Sequence, residues 1–330
     1  MARGSAVPLV EAYDTLLFDL DGVVYVGDQA VPGAVDAVHR ARDAGVRVAF
    51  VTNNASRPPQ AVADRLTALG VAATGADVVT AAQAAARLLA EKFPAGSPVL
   101  VVGGVGLHDA LRERGLEPVT SADADPVAVV QGYAPGLDYA MLAEGAVAVR
   151  AGAMFVASNM DRTLPSGRGP LPGNGSLVQV ISYATGVEPV SAGKPELPLH
   201  HEAVRRTGAR HPLIVGDRLD TDIASAVRAG TDGLLVLTGV TTPADLVTAD
   251  PDQRPTYVAA DLGGLFAAHP EVTADGHGWS CGGWAAAVDG GVLTLDGDGS
   301  REDGLRAACA AAWSQDGPVD PSAALARIGR

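Results

Sequence analysis

Short apolar runs alternate with amphipathic segments along most of the chain. The first run, Thr15–Leu20, is continuous and stops at Asp21-Gly22, which is typical of a buried central strand. Further strands are predicted over Arg47–Thr52, Val99–Val102, Ala128–Gln131, Met154–Ala157, Pro212–Val215 and Gly233–Leu237. Helices are predicted over Pro32–Ala44, Pro58–Leu69, Ala81–Glu91, Leu107–Arg114, Asp138–Ala151, Ser176–Thr185, Glu196–Arg206 and Asp220–Ala229. Strands that alternate with helices predict a parallel sheet built from right-handed strand–helix–strand units.

The pattern changes near the end of the chain. Two short strands, Trp284–Val288 and Val292–Leu295, flank Asp289-Gly290-Gly291, a sequence that favours a hairpin turn. A helix is predicted over Glu302–Trp313. We therefore predict a small ββα module, in which Trp279 and Trp284 form part of the core; the alternative is that they form a platform for a ligand.

These patterns predict an α/β fold with a doubly wound parallel-sheet core. The core is expected over residues 12–80 and 189–262, interrupted by a second α/β domain over 81–188. The small appended module is expected over 270–330.

Charge and composition exclude several classes of function. The chain has 330 residues and a net charge of −14, which disfavours nucleic-acid partners because these need basic surface. No apolar run approaches the length of about 18 residues that a transmembrane helix needs, so we expect no membrane insertion. Two cysteines favour a reducing, cytoplasmic location without disulfides or a Cys-ligated zinc.

Two segments with potential chemistry follow the first two predicted strands. Asp19 and Asp21 lie at the carboxyl edge of the sheet, where α/β proteins bind ligands. One carboxylate there could be a nucleophile or metal ligand and the other a proton-transfer group; the alternative is an ordinary turn. Thr52, Asn53 and Asn54 could bind phosphate oxygens through a hydroxyl and backbone N–H groups, or could simply cap a helix.

Two further segments lie at later strand ends. Lys194 is one of only two lysines and precedes Pro195 at a predicted helix start. A cation is disfavoured there by the helix dipole, and a bound anion would offset that cost; otherwise the lysine is a surface residue. Asp217, Asp220 and Asp222 supply three carboxylates within six residues, which suits Mg²⁺ or an acidic helix N-terminus. By contrast, the adjacent His200 and His201 are expected at the surface.

Together the four segments resemble the haloacid dehalogenase (HAD) superfamily of phosphatases. The matching motifs are Asp19-Leu20-Asp21-Gly22, Thr52, Lys194 and Gly216-Asp217 with Asp222. The insert between Thr52 and Lys194 is similar to the cap of the C2-capped, 4-nitrophenylphosphatase-like branch. Within that branch the actinobacterial glycerol 3-phosphate phosphatases are the most similar.

The resemblance implies a role for each motif residue. Asp19 would attack phosphorus to form an aspartyl-phosphate, and Asp21 would protonate the leaving alkoxide and then activate water. Thr52, the amides of Asn53 and Asn54, and Lys194 would bind the phosphoryl group. Mg²⁺ would bind Asp19, Asp217 and the backbone carbonyl of Asp21, with Asp222 supporting the site.

The expected function is Mg²⁺-dependent hydrolysis of small phosphorylated metabolites. Glycerol 3-phosphate is the favoured substrate on resemblance, with 2-phosphoglycolate or broad activity on 4-nitrophenyl phosphate as alternatives. A phosphotransferase and a non-catalytic, phosphometabolite-binding regulator are the competing classes. A homo-oligomer is also possible.

Overall fold

The structure, a computed structural model, describes residues 3–164, 166, 168–276 and 278–329. Contacts divide the chain into two units. The first contains residues 1–48 and 209–330, and the second contains 49–208. In the part of the chain that the structure describes, no helix has the length and apolar character needed to cross a membrane.

Most of the α-helices were predicted from their amphipathic or Ala-rich sequence, whereas three short ones, Leu9–Ala12, Pro243–Val247 and Ser322–Arg327, were not. In chain order they are α1 (Leu9–Ala12), α2 (Ala34–Asp43), α3 (Pro59–Ala68), α4 (Ala81–Ala90), α5 (Val105–Glu113), α6 (Tyr139–Arg150), α7 (Asn174–Thr185), α8 (Leu197–Thr207), α9 (Ala224–Ala229), α10 (Pro243–Val247), α11 (Arg301–Trp313) and α12 (Ser322–Arg327).

The strands are short, and most are apolar. They are β1 (Thr15–Phe18), β2 (Tyr25–Val26), β3 (Gln29–Ala30), β4 (Arg47–Thr52), β5 (Val78–Thr80), β6 (Pro98–Val102), β7 (Glu117–Val119), β8 (Ala128–Gln131), β9 (Met154–Ala157), β10 (Thr163–Leu164), β11 (Leu171–Pro172), β12 (Val190–Ser191), β13 (Pro212–Gly216), β14 (Asp232–Val236), β15 (Tyr257–Ala259), β16 (Thr273–Ala274), β17 (Trp279–Cys281), β18 (Trp284–Asp289) and β19 (Val292–Gly297).

In the first unit, four parallel strands pair in the order β15-β14-β13-β1. All four residues of β1 are buried, as expected for an internal strand covered on both faces. Since the strands are parallel, the segments that follow β1, β13 and β14 emerge at one edge. That edge carries Asp19 and the acidic cluster.

The carboxyl-terminal part of the first unit forms an antiparallel sheet, β16-β17-β18-β19, with α11 and α12. The prediction of two strands was incomplete, because β16 and β17 are too short to give a hydropathy signal. Trp284 and Trp313 are buried in one cluster with Leu235 and Val258 of the parallel strands. The module therefore shares its core with the parallel strands of the first unit. Of the two tryptophans predicted to lie in the core of the module, Trp284 is buried, and Trp279 packs against the same cluster but is only partly buried.

The second unit contains a five-stranded parallel sheet in the order β12-β9-β8-β6-β7. Its core includes Val129, Phe155, Val178 and Ile181, which join the sheet to α7. The unit also holds the end of β4, which pairs with β5. His200 is 8% exposed within α8, so its predicted surface position was wrong, because the helix turns that residue towards the interior.

The predicted α/β class with parallel sheets and an appended module is confirmed. The predicted helix Asp220–Ala229 is interrupted at its start: Leu219–Ile223 forms a wider π-helical turn before α9. Within that turn, the Ile223 N–H donates to the Arg218 carbonyl five residues earlier. Cys281 and Cys309 are buried free thiols.

Candidate active site

Three carboxylates converge at the carboxyl edge of the parallel strands in the first unit. Oxygen atoms of Asp19, Asp217 and Asp222 lie within 4.8 Å of one another. Asp217 is 0% exposed and Asp222 is 1% exposed. Burying several carboxylates side by side is costly unless a cation or hydrogen bonds compensate their charge. The geometry therefore favours a cation site.

Asp217 is held by the loop that follows β14. The Val240 N–H donates to its Oδ2 at 2.7 Å, and the Thr241 N–H donates to its backbone carbonyl at 3.2 Å. Gly22, which has a φ of +84°, also lies close to Asp217 and leaves no space for a Cβ beside the Asp217 carboxylate. Gly22 is itself fixed, because the Thr238 hydroxyl donates to its carbonyl at 2.6 Å.

Asp222 owes its position to the π-helical turn. Its Oδ2 accepts from the Arg218 N–H at 3.2 Å, while its own N–H donates to the Arg218 carbonyl. Asp220 points elsewhere and forms a two-bond ion pair with the Arg218 guanidinium at 2.8 and 3.0 Å. Of the three carboxylates in this segment, Asp217 and Asp222 therefore join the cluster and Asp220 does not.

Asp19 and Asp21 have different surroundings. The Asp19 backbone continues the strand pairing, since its N–H donates to the Val215 carbonyl at 2.8 Å. Its side chain is partly buried within the cluster, whereas Asp21 is exposed and lies outside it. The Asp21 carboxylate is therefore not one of the clustered oxygen donors, and its role in proton transfer stays a prediction.

The donor set fits magnesium. All of the clustered side-chain donors are carboxylate oxygens, which Mg²⁺ prefers, and neither thiols nor imidazoles belong to the cluster. Two acidic ligands with further coordination by water and phosphate are the usual arrangement for this ion. The residues present could therefore hold Mg²⁺.

The second unit carries the other predicted residues. Thr52 ends β4 and is 4% exposed, and its hydroxyl accepts from the Asn54 N–H at 3.1 Å. The Asn54 side chain accepts from both the N–H and the hydroxyl of Ser56, at 2.8 and 2.7 Å. This compact turn orients polar groups at the strand end, which is where phosphate oxygens bind in such folds.

Lys194 lies beside the same strand end and is 6% exposed. Its Nζ donates to the Val51 carbonyl at 3.1 Å. Its backbone is hydrogen-bonded on both sides to the Asn53 side chain, from the Lys194 N–H to Oδ1 at 2.8 Å and from Nδ2 to the Lys194 carbonyl at 3.1 Å. The structure thus brings Thr52, Asn53 and Lys194 together within the second unit.

The sequence did not indicate a role for several residues that support these groups. Thr238 and Val240 follow β14, so their position after a strand end was a usable signal. Asn159, Asp161 and Asn174 contact Asn53 or one another. Local sequence does not reveal the contacts of Asn159 and Asp161 with Asn53, because more than a hundred residues separate these partners in the chain.

Comparisons with known proteins identify the family of this chain. A family model described as haloacid dehalogenase-like hydrolase matches residues 16–117, and a HAD-hydrolase-like model matches residues 191–265. A D-glycerol 3-phosphate phosphatase of Mycobacterium tuberculosis is 46% identical over 301 residues, covering 89% of this chain and 82% of that protein. The chain belongs to the haloacid dehalogenase-like hydrolase family.

Solved structures of HAD-family proteins extend this similarity. The glycerol phosphate phosphatase of M. tuberculosis in complex with magnesium has a TM-score of 0.90 and 43% identity, covering 98% of this chain and 99% of that one. The 4-nitrophenylphosphatase of Thermotoga maritima has a TM-score of 0.72 and 30% identity, covering 78% and 97%. The predicted family and enzyme class, a HAD-superfamily phosphatase, are confirmed.

The carboxyl-terminal module has a separate resemblance. Residues 281–329 match a model described as a GCN5-related N-acetyltransferase-like domain. The sequence patterns did not suggest this relationship. The start of α11 carries the acidic residues Glu302 and Asp303.

Proposed function

We propose that this HAD-family hydrolase is a Mg²⁺-dependent phosphatase that removes phosphate from small phosphorylated metabolites, with glycerol 3-phosphate as its preferred substrate. The observation that carries the proposal is the cluster of the partly buried Asp19 with the buried Asp217 and Asp222 at a parallel-strand edge. Such a set of oxygen donors is suited to an ion that also binds phosphate.

Asp19, Asp217 and the backbone carbonyl of Asp21 would hold the Mg²⁺, and Asp222 would support them. When bound, the ion supplies positive charge that orients the phosphate and offsets the repulsion between it and the Asp19 carboxylate.

Asp19 acts as the nucleophile. One of its oxygens forms a bond to phosphorus while the bond from phosphorus to the ester oxygen breaks, which gives an aspartyl-phosphate. Asp21 donates a proton to the departing alkoxide. In the second step Asp21 takes a proton from water, the water oxygen attacks phosphorus, and the Asp19 carboxylate is released with inorganic phosphate.

Thr52, the backbone amides of Asn53 and Asn54, and Lys194 bind the transferring phosphoryl group. Burial of Lys194 supports this role, because an ammonium in a site of low polarity interacts more strongly with an anion than one in water. The Asn54 N–H donates to Thr52 Oγ1, so a phosphate oxygen would have to compete with that bond.

The preference for glycerol 3-phosphate rests on the M. tuberculosis relative, which matches nearly the whole chain in structure. A second candidate is a nucleoside 5′-monophosphate, because a 5′-nucleotidase of Bacillus subtilis is 39% identical over 255 residues. Homo-oligomer formation and a cytoplasmic location stay predictions.

A substrate comparison tests the proposal. Release of inorganic phosphate would be measured from glycerol 3-phosphate, 2-phosphoglycolate, 4-nitrophenyl phosphate and adenosine 5′-monophosphate. We expect the highest kcat/KM for glycerol 3-phosphate, loss of all activity in EDTA, and recovery with Mg²⁺. A higher kcat/KM for another ester would reassign the substrate, and full activity in EDTA would refute the metal's role.

A further inference from the structure

We infer that Asp161 is a positioning residue of this phosphatase, which acts through the Asn53 carboxamide to hold Lys194 at the phosphate-binding strand end. The inference rests on the proposed function and assigns Asp161 and the Asn53 side chain a role that the motif pattern does not supply. All the contacts that carry it lie within the second unit.

The Asn53 side chain is committed to protein partners. Its two Nδ2 hydrogens have two acceptors, the Lys194 carbonyl at 3.1 Å and Asp161 Oδ1 at 3.1 Å. Its Oδ1 accepts from the Lys194 N–H at 2.8 Å. A carboxamide has only these donors and this acceptor oxygen to offer. Any contact of Asn53 with phosphate would therefore use its backbone, and its side chain serves to hold Lys194.

Asp161 sets the orientation of that carboxamide. Without an acceptor at 161, the Nδ2 group would lose one of its two partners, and a buried unpaired donor is costly. The carboxylate also makes the flipped amide unfavourable, because Oδ1 of Asn53 would then face a negatively charged oxygen. Only one of the two amide orientations gives Lys194 a pair of hydrogen bonds.

The loop that carries Asp161 is itself held firmly. Asn159 donates from Nδ2 to the Asn53 carbonyl at 2.7 Å and accepts from the Asp161 N–H at 3.2 Å. Asn174 at the start of α7 donates to the Asn159 carbonyl at 2.7 Å, and the Gly175 N–H donates to the Asp161 carbonyl at 2.9 Å. A fixed loop can transmit position to Asn53, whereas a mobile one could not.

The approach of the Lys194 segment is close enough to require glycine. A Cβ at Gly193 would lie 2.6 Å from Asn53 Oδ1 and 2.6 Å from the Ser158 carbonyl. Packing at this distance leaves the Lys194 backbone little freedom. A change in the Asn53 side chain should therefore be transmitted directly to Lys194.

Two measurements test the inference: calorimetric binding of inorganic phosphate in the presence of Mg²⁺, and steady-state rates with glycerol 3-phosphate and 4-nitrophenyl phosphate. For Asp161→Ala we expect phosphate binding to weaken about tenfold, the usual consequence of leaving one buried donor without its acceptor. KM for both esters should rise by the same factor, because Lys194 binds the phosphoryl group that they share. Asp161→Asn keeps an acceptor oxygen and should restore most of the affinity.

The variant Asn53→Ala should weaken phosphate binding at least as much as Asp161→Ala. The double variant should bind phosphate as tightly as Asn53→Ala alone, because Asp161 acts through the Asn53 side chain and has no effect once that side chain is removed. Asn53→Asp preserves side-chain volume but sets an oxygen against two acceptors, so it should weaken binding more than Asp161→Ala. If Asp161→Ala does not fold, phosphate binding by Asn53→Asp tests the inference instead. Asp109→Ala removes a half-exposed carboxylate of the same unit and should leave phosphate binding unchanged.

Unchanged phosphate binding in folded Asp161→Ala would overturn the inference. A KM effect that differs between the two esters would overturn it as well, because Asp161 would then contact the organic group. If the wild-type protein hydrolyses no ester, the proposed function fails, while phosphate calorimetry still decides whether Asp161 positions Lys194.

Discussion

Asp19 and Asp21 are separated by one residue, yet their side chains lie in different surroundings. Asp19 belongs to the carboxylate cluster, and Asp21 is exposed outside it. The strand ends at Phe18, so the backbone no longer alternates regularly beyond it. The two residue types and their spacing could be predicted from the sequence, but this separation of environments could not.

Asp21→Asn should lower kcat for glycerol 3-phosphate by about 10²–10⁴, the usual contribution of a positioned acid–base group. The loss should be smaller with 4-nitrophenyl phosphate, because its leaving group needs less protonation. The Mg²⁺ concentration for half-maximal rate should stay unchanged, since the side chain lies outside the cluster. Asp28→Asn, at a nearby exposed position, is the control, and equal losses with both esters would contradict the assigned role.

His269 occupies a buried position in the first unit, with 2% exposure. Its Nε2 lies 2.8 Å from the Gly264 carbonyl, and its Nδ1 lies 3.0 Å from Arg306 Nη2. A carbonyl only accepts and a guanidinium only donates, so the imidazole is neutral with its proton on Nε2. Burial, followed by the nearby Arg306 charge, holds the pKa of His269 below its ordinary value.

Stability should therefore fall in acid. The imidazole of the unfolded chain takes up a proton at a pH where the folded one stays neutral. The contribution of neutral His269 to the free energy of unfolding is therefore complete above about pH 6.5, and it declines as the pH falls from there towards the pKa of the folded state. His269→Gln should flatten the decline in melting temperature between pH 7.5 and 5. His200, whose pKa burial lowers to about 4, adds a decline that both proteins share. The exposed His39→Gln is the control; a wild-type-like slope in His269→Gln would refute this account.

Most central helices and strands follow from hydropathy, because they must bury an apolar face. Arg47–Thr52, Ala128–Gln131 and Met154–Ala157 match their predicted bounds. The π-helical turn Leu219–Ile223 was not predictable, because its residues also suit an α-helix. The sequence does not predict the short strands β10, β11, β12, β16 and β17, because two or three residues are too few to show the alternation of apolar and polar positions that is typical of a strand.

The turn after β1 places Gly22 against Asp217 of the carboxylate cluster. Gly22→Ala would strain a left-handed backbone position and crowd the Asp217 carboxylate. We expect the Mg²⁺ concentration for half-maximal rate to rise about tenfold, equivalent to about 1.4 kcal/mol. Gly27→Ala is a matched control, because Gly27 has a φ of +54° and open space around it. If both variants need the same Mg²⁺ concentration for half-maximal rate, the close contact between Gly22 and Asp217 is not important for Mg²⁺ binding, and the prediction is wrong.

Helix α11 joins the module to the parallel strands. Residues 303–313 are all buried, and Arg306 donates to the Val258 carbonyl of β15 at 2.8 Å. Leu305 is 1% exposed, so Leu305→Ala should lower the free energy of unfolding by about 2–5 kcal/mol. Denaturant titration measures this, with the exposed Asp316→Ala as the control. Since α11 carries no proposed catalytic group, kcat should be retained below the melting temperature, and its loss in folded protein would assign the module a catalytic role.

The relatives differ in whether they match the whole chain or only the part that precedes the module. The match to the B. subtilis 5′-nucleotidase includes 97% of that protein but only 77% of this chain. The M. tuberculosis structure, by contrast, matches 98% of this chain. The shorter relatives therefore contain the phosphatase part without a counterpart of the whole chain. In this protein the module nevertheless shares a hydrophobic cluster with Leu219 and Ile223, which flank the acidic turn. It contributes to the stability of the catalytic unit.

The four motifs could be predicted because each lies next to a strand end in the sequence. The support of Lys194 by Asn53 and Asp161 could not, since it depends on side chains from three distant segments that meet only in the folded chain. Local sequence thus indicates which residues are available for chemistry, and the fold determines which of them are held in place.

The central claim is that Asp19 carries the phosphoryl group. Rapid acid quenching of the enzyme with Mg²⁺ and glycerol 3-phosphate, followed by mass spectrometry of its peptides, tests this directly. We predict a phosphoryl adduct on the peptide that contains Asp19, which disappears in EDTA and in Asp19→Asn, together with all turnover. An adduct on another residue, or near wild-type phosphate release by Asp19→Asn, would contradict the account.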